Sequence, residues 1–213
     1  MHIIKIFDFD GTIADTEKIS WEAHNNLLKP YGIRLELEQI QKYIGNCDER
    51  IAQMLNEDFD ISLNPQTYEV DHRKEYQRLL ETTDLKPFQS TLNEIYEDEK
   101  AECIILSSNS SETIRKALGM WNLLECFSKI VSVPEIKMSK KEYIKTLLRD
   151  YAPRDIYLYE DGIQALNMGK ELGIHTIGVI TDYNKQLFRG EFCERVLDEN
   201  DYLSSFIKEE TAF

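Results

Sequence analysis

No stretch of the 213-residue chain approaches the ~20 consecutive apolar residues that a membrane-spanning helix needs. Closely spaced cysteine pairs are also missing: Cys47, Cys103, Cys126 and Cys193 form no CxxC pattern, which argues against a thiolate metal site or a disulfide framework. They read as free thiols of a reducing compartment, with Cys103 inside an apolar run as a core thiol. Positive charge is scarce. The 25 Lys and Arg face 39 Asp and Glu, and the net charge of −14 disfavours nucleic acid and anionic membranes as partners. There is no internal repeat or low-complexity tract, and the opening residues run straight into a charged motif without the pattern of a signal peptide. A chain this long buries enough core to fold without disulfides or a structural metal. The expectation is a soluble cytoplasmic protein, a monomer or weak homodimer.

What is present is alternation. Short apolar runs at 2–9, 102–106, 129–133, 155–158 and 176–180 have the length and the Ile-rich composition of buried strands. Helical periodicity fills 90–99, 111–120, 140–149 and 164–172, the last stopped by Gly173. Strands alternating with helices imply βαβ units, and therefore an α/β fold with a doubly wound parallel sheet, a Rossmann-like core. One block breaks the pattern. Between 15 and 87 every periodic segment is helical (17–29, 36–44, 48–56 and 66–82), which predicts an inserted all-helical cap domain at 15–87 and a catalytic core of 1–14 with 88–213.

Parallel sheets collect functional residues at the carboxyl ends of their strands. The first expected strand ends in Asp8-Phe9-Asp10-Gly11-Thr12, and the second in Ser107-Ser108-Asn109-Ser110. Lys137 follows the third and Glu160-Asp161 the fourth. Acids, a hydroxyl and a lysine converging on one edge suit phosphoryl transfer. A phosphate dianion repels a carboxylate nucleophile, and a hard cation such as Mg²⁺ offsets that repulsion while preferring oxygen ligands. Asp8 and Asp161 can hold it through side chains and Asp10 through its backbone carbonyl. Lys137 and Ser108 would face the transferring oxygens, with the N–H groups opening the helix at Ser111 as an anion-binding terminus. Asp10, two residues after the nucleophile Asp8, would protonate the leaving oxygen and later deprotonate water. Gly11 permits a sharp turn beside the phosphate. His24, His72 and His175 show no ligand-like spacing and are expected to be structural.

DFDGT after the first strand, the serine after the second, the lysine and the closing acidic pair resemble the four motifs of the haloacid dehalogenase superfamily. The helical block resembles the cap of its phosphoglycolate phosphatase and β-phosphoglucomutase-like branch. The resemblance covers nearly the whole chain and implies a Mg²⁺-dependent phosphatase acting on a small-molecule phosphate ester. It implies Asp8 as nucleophile, Asp10 as acid/base and carbonyl ligand, Ser108, Asn109 and Lys137 as phosphate binders, and Asp161 as metal ligand with Glu160 in or just behind the ligand set. Two positions depart from the pattern. Ala165 stands where many members carry a second Asp, and Met138 replaces the proline that usually follows the lysine, which leaves Lys140 in competition with Lys137. The β-phosphoglucomutases present a Ser-Arg pair in the cap for a second phosphate. Here the matching stretch is Gly45-Asn46-Cys47-Asp48-Glu49-Arg50, whose acids favour a phosphatase over a phosphomutase.

Overall fold

The computed structural model describes residues 2–189 and 193–199; the remainder of the expected core, 200–213, lies outside the described residues. In chain order the elements are β1 (Ile4–Phe7), α1 (Thr16–Leu28), α2 (Leu37–Ile40), α3 (Asp48–Phe59), α4 (Pro65–Thr82), α5 (Gln89–Glu97), β2 (Glu102–Ser107) and α6 (Ser111–Met120). They continue with β3 (Lys129–Ser132), α7 (Val133–Ile136), α8 (Lys140–Leu147), β4 (Ile156–Glu160), α9 (Ile163–Glu171), β5 (His175–Val179) and β6 (Arg195–Leu197). The chain divides into two compact units, Met1–Asp15 with Lys86–Phe213, and Thr16–Leu85. No helix among the described residues is long and apolar enough to cross a membrane.

The first unit is built on one six-stranded sheet in the order β3-β2-β1-β4-β5-β6, with every pairing parallel. The order reverses between β2 and β4, the two neighbours of β1. The crevice at that switch point is where open α/β sheets place ligands. β1 is central and all four of its residues are buried, as a strand covered on both faces requires. Alternation sorts the side chains onto the two faces. Ile4, Ile6, Ile104, Leu106, Ile156 and Leu158 form one apolar cluster with Tyr143 and Ile144 of α8. Burial of each such aliphatic side chain is worth roughly 1.5–3 kcal/mol.

The opposite face carries charge. Phe7 stacks on Tyr159 at 4.3 Å, but the buried Lys5 is also there and donates to the Glu94 carbonyl at 2.5 Å. The Glu94 carboxylate, buried on α5, accepts from the Tyr159 hydroxyl at 2.8 Å and from both terminal nitrogens of Arg195 at 2.6 and 2.8 Å. This network ties α5 to β4 and to β6, a strand that the sequence pattern does not announce. Only Leu197 of its three residues is buried, so it has neither a long apolar run nor a full alternation. α7 is likewise unannounced, a single turn entered through Pro134.

The second unit is all helical among its described residues. α4 packs against both α1 and α3. It begins on an Asn64 cap, whose side chain accepts from the Thr67 N–H, with Pro65 at the first turn. Asn25 and Asn56 each bond both backbone groups of one loop residue, Leu35 and Leu63, and fix the turns between helices. The helix expected over 36–44 is cut to one turn, after which irregular chain passes through Gly45 at φ 82°.

Burial pushes the Glu94 carboxyl up, but the bonds from Arg195 and Tyr159 outweigh it and hold Glu94 below the usual 4.5. A carboxyl whose folded-state value is depressed stabilises the fold above its unfolded value and loses that contribution as pH falls through the folded one. Glu94→Gln should therefore destabilise the protein by about 2 kcal/mol at neutral pH. In denaturant titrations the gap to wild type should close progressively below about pH 4.5.

Candidate active site

Strand register alone brings the acidic residues together. Phe7 of β1 pairs with Tyr159 of β4, so Asp8 and Glu160 emerge side by side at the carboxyl edge, and the Asp8 N–H donates to the Tyr159 carbonyl at 2.9 Å. Both are buried, Glu160 at 2% exposure. Asp161 follows directly, and one carboxylate oxygen from each of Asp8, Glu160 and Asp161 lies within 4.8 Å of the others. Gly11 makes this approach possible. It has φ 66°, and a Cβ there would stand 2.3 Å from the Asp161 Oδ2.

The lysine in this cluster is Lys140. Its ammonium lies 3.0 Å from the Asp8 Oδ1 and 2.5 Å from the Glu160 Oε1. Burial works against that charge, but the two carboxylates override it and keep the Lys140 pKa well above its ordinary value. The structure does not bring Lys137 here. Lys137 is exposed and closes α7 in the left-handed region at φ 51°. The intervening single-turn helix accounts for the three-residue displacement. The chain must turn at Lys137 before Ser139 caps α8 through a Ser139–Glu142 capping box, and only the first residue of that helix reaches the acids.

Ser107 closes β2 as a buried residue, and its hydroxyl accepts from the Asn109 N–H at 3.1 Å. Ser108 is exposed just beyond the strand. The Asn109 side-chain amide donates to the Asp10 carboxylate, at 3.2 Å to Oδ2 and 3.4 Å to Oδ1, so this residue touches Asp10. The expected anion-binding terminus of α6 is otherwise engaged. The Ser111 N–H donates to Glu135 at 2.8 Å, and the Thr113 N–H to the Ser110 hydroxyl at 3.2 Å.

One residue near the cluster escaped the sequence pattern. Buried Asn184 donates to the carbonyls of Asp161 and Val179, both at 2.9 Å, and accepts from the Thr181 N–H at 2.7 Å. It fastens the loop after β4 to the end of β5. The signal that could have found it is a polar residue shortly past a strand end.

One ammonium stands among three carboxylates. Burial first, then the neighbouring Asp8 charge, pushes Glu160 up to about 7 against the pull of Lys140. The three clustered carboxylates offer oxygen donors only. That chemistry fits a hard divalent cation of the Mg²⁺ kind, with Asp8, Asp161 and Glu160 and the Asp10 carbonyl as the groups that would hold it.

A model of the haloacid dehalogenase-like hydrolase family matches residues 5–179. The chain belongs to that family. Among curated proteins, the hydrolase is 25% identical over 187 residues to a phosphorylated carbohydrates phosphatase of Thermotoga maritima, spanning 84% of this chain and 86% of that one. It is 21% identical over 184 residues to the Drosophila melanogaster protein named "Probable pseudouridine-5'-phosphatase", spanning 82% and 80%. Among solved structures, CbbY of Rhodobacter sphaeroides in complex with phosphate superposes with a TM-score of 0.74 at 20% identity. The match covers 93% of this hydrolase and 95% of that chain. At that identity the likeness speaks for the fold.

The two lysines can be separated directly. Lys140→Ala would leave Asp8 and Glu160 buried without their cation, and hydrolysis of a phosphomonoester should fall ~100-fold or more. Lys137→Ala, on the exposed turn, should stay within about threefold of wild type, inside the range of ordinary surface substitutions. The steady-state rates of both variants, each shown to be folded by circular dichroism, check the ranking.

Proposed function

We propose that this hydrolase is a Mg²⁺-dependent phosphatase of small phosphomonoesters, phosphorylated sugars foremost, working through an aspartyl phosphate on Asp8. The observation that carries the proposal is the Lys140 ammonium spanning Asp8 and Glu160 at the switch point of the sheet. A carboxylate held there is fixed in direction, as a nucleophile must be.

Attack by an Asp8 oxygen forms the new P–O bond while the ester P–O bond breaks. Asp10 gives its proton to the departing alkoxide, then takes one from the water that cleaves the aspartyl phosphate. The Asn109 amide holds Asp10 for both transfers. Lys140 neutralises charge on the transferring group, and the exposed Ser108 hydroxyl is available to its oxygens. Bound Mg²⁺ would supply the remaining positive charge that a dianionic substrate needs in an acidic site. In this scheme the helical unit Thr16–Leu85 is the cap.

Hydrolysis is favoured over a phosphomutase reaction by the 45–50 stretch. Asp48 there pairs with His72 at 2.9 Å, and Arg50 turns to Gln53 and Glu57 on its own helix, at 3.2 and 3.8 Å. A second phosphate would meet a carboxylate and an already engaged arginine.

The test is phosphate release from a panel of phosphomonoesters. Turnover should need added Mg²⁺, stop in excess chelator, and fall by several orders of magnitude in Asp8→Asn. Full activity in chelator or in that variant would refute the mechanism. Glucose 1-phosphate with a trace of its bisphosphate should give free phosphate faster than glucose 6-phosphate; the opposite order would make the enzyme a mutase.

A further inference from the structure

The sequence spacing of His24, Asp48 and His72 gives no hint of a site, yet the fold of the helical unit brings the three together. His24 comes from α1, Asp48 opens α3, and His72 comes from the middle of α4. One donor atom from each lies within 4.8 Å of the other two. The two imidazoles stack at 3.8 Å and are almost fully buried, while the Asp48 side chain keeps 27% exposure.

Each ring is anchored at one nitrogen and faces the same carboxylate with the other. The His72 Nε2 lies 3.1 Å from the Ser20 carbonyl, which can only accept, and 3.4 Å from the Ser20 hydroxyl; the shorter contact favours a proton on Nε2. Its Nδ1 stands 2.9 Å from the Asp48 Oδ2. The His24 Nδ1 pairs with the Tyr68 hydroxyl at 2.8 Å, and its Nε2 stands 3.7 Å from the Asp48 Oδ1. A second ring nitrogen turned to a backbone carbonyl or hydroxyl is the arrangement that orients metal-ligating histidines. A proton between the His72 Nδ1 and the Asp48 Oδ2 would satisfy that pair alone, whereas a metal ion would engage the His24 Nε2 as well. Buried Trp21, whose ring centroid is 4.7 Å from that of His24, has an indole N–H with no hydrogen-bond partner among the described residues.

We propose that His24 Nε2, His72 Nδ1 and Asp48 form a binding site for a borderline divalent cation of the Zn²⁺ or Co²⁺ kind, separate from the Mg²⁺ cluster of the core. Two nitrogens and a carboxylate select such ions over Mg²⁺, and the observed N···O separations bracket the edge of a ~2.1 Å tetrahedron. Coordination requires the stacked rings to splay slightly at that edge. The ion would clasp α1, α3 and α4.

The experiment titrates the full chain with Zn²⁺ by calorimetry in excess Mg²⁺, which occupies hard-oxygen sites. Wild type should take up one equivalent at micromolar concentration and melt at higher temperature with it. His72→Gln and Asp48→Asn should each lose that uptake at least tenfold. Histidine ¹⁵N spectra of wild type serve as a check that needs no variant. Zn²⁺ should shift His24 and His72 and leave His2 and His175 in place. No micromolar uptake, uptake unchanged in both variants, or unmoved His24 and His72 resonances would overturn the site.

Discussion

A partly buried ammonium shared by two carboxylates is the interaction on which the site depends. Asp8 and Glu160 are brought side by side by the β1–β4 register, and two such charges out of water repel each other strongly. Lys140 makes the arrangement tolerable and aims the Asp8 carboxylate at the same time. Burial and the neighbouring Asp8 push Glu160 up to about 7 against the pull of Lys140.

The scaffold supplies that geometry through interactions of ordinary size. Apolar burial on one face of the sheet holds β1 against α8, whose first residue is Lys140. On the other face the Lys5, Glu94, Tyr159 and Arg195 network joins β1, α5, β4 and β6. Close approaches finish the site. Gly11 admits Asp161, and Asn184 bonds the Asp161 carbonyl to the end of β5.

Much of this is legible in the sequence, because buried parallel strands leave continuous apolar runs and their carboxyl ends leave polar signatures. The runs around Ile4, Ile104, Ile156 and Ile177 each fall on a strand, and Asp8, Glu160 and Asp161 meet where strand ends must meet. Short elements are not legible. β6 has too few buried positions to show a period, and the single turn α7 moves the lysine at the acids from Lys137 to Lys140. Nor can spacing reveal side chains that compete for one amide. The N–H groups at the start of α6 are taken by Glu135 and Ser110, a partnership between distant segments in the first case. The convergence of His24, Asp48 and His72 is tertiary in the same sense, with one residue on each of three helices.

The central claim, that Asp8 attacks phosphorus and water then cleaves the aspartyl phosphate, is tested most directly by stereochemistry. A phosphorothioate ester made chiral at phosphorus with two oxygen isotopes would be hydrolysed in water carrying the third, and the configuration of the product thiophosphate determined. Two successive in-line displacements through Asp8 predict net retention. Net inversion would mean a single displacement by water and would contradict the account.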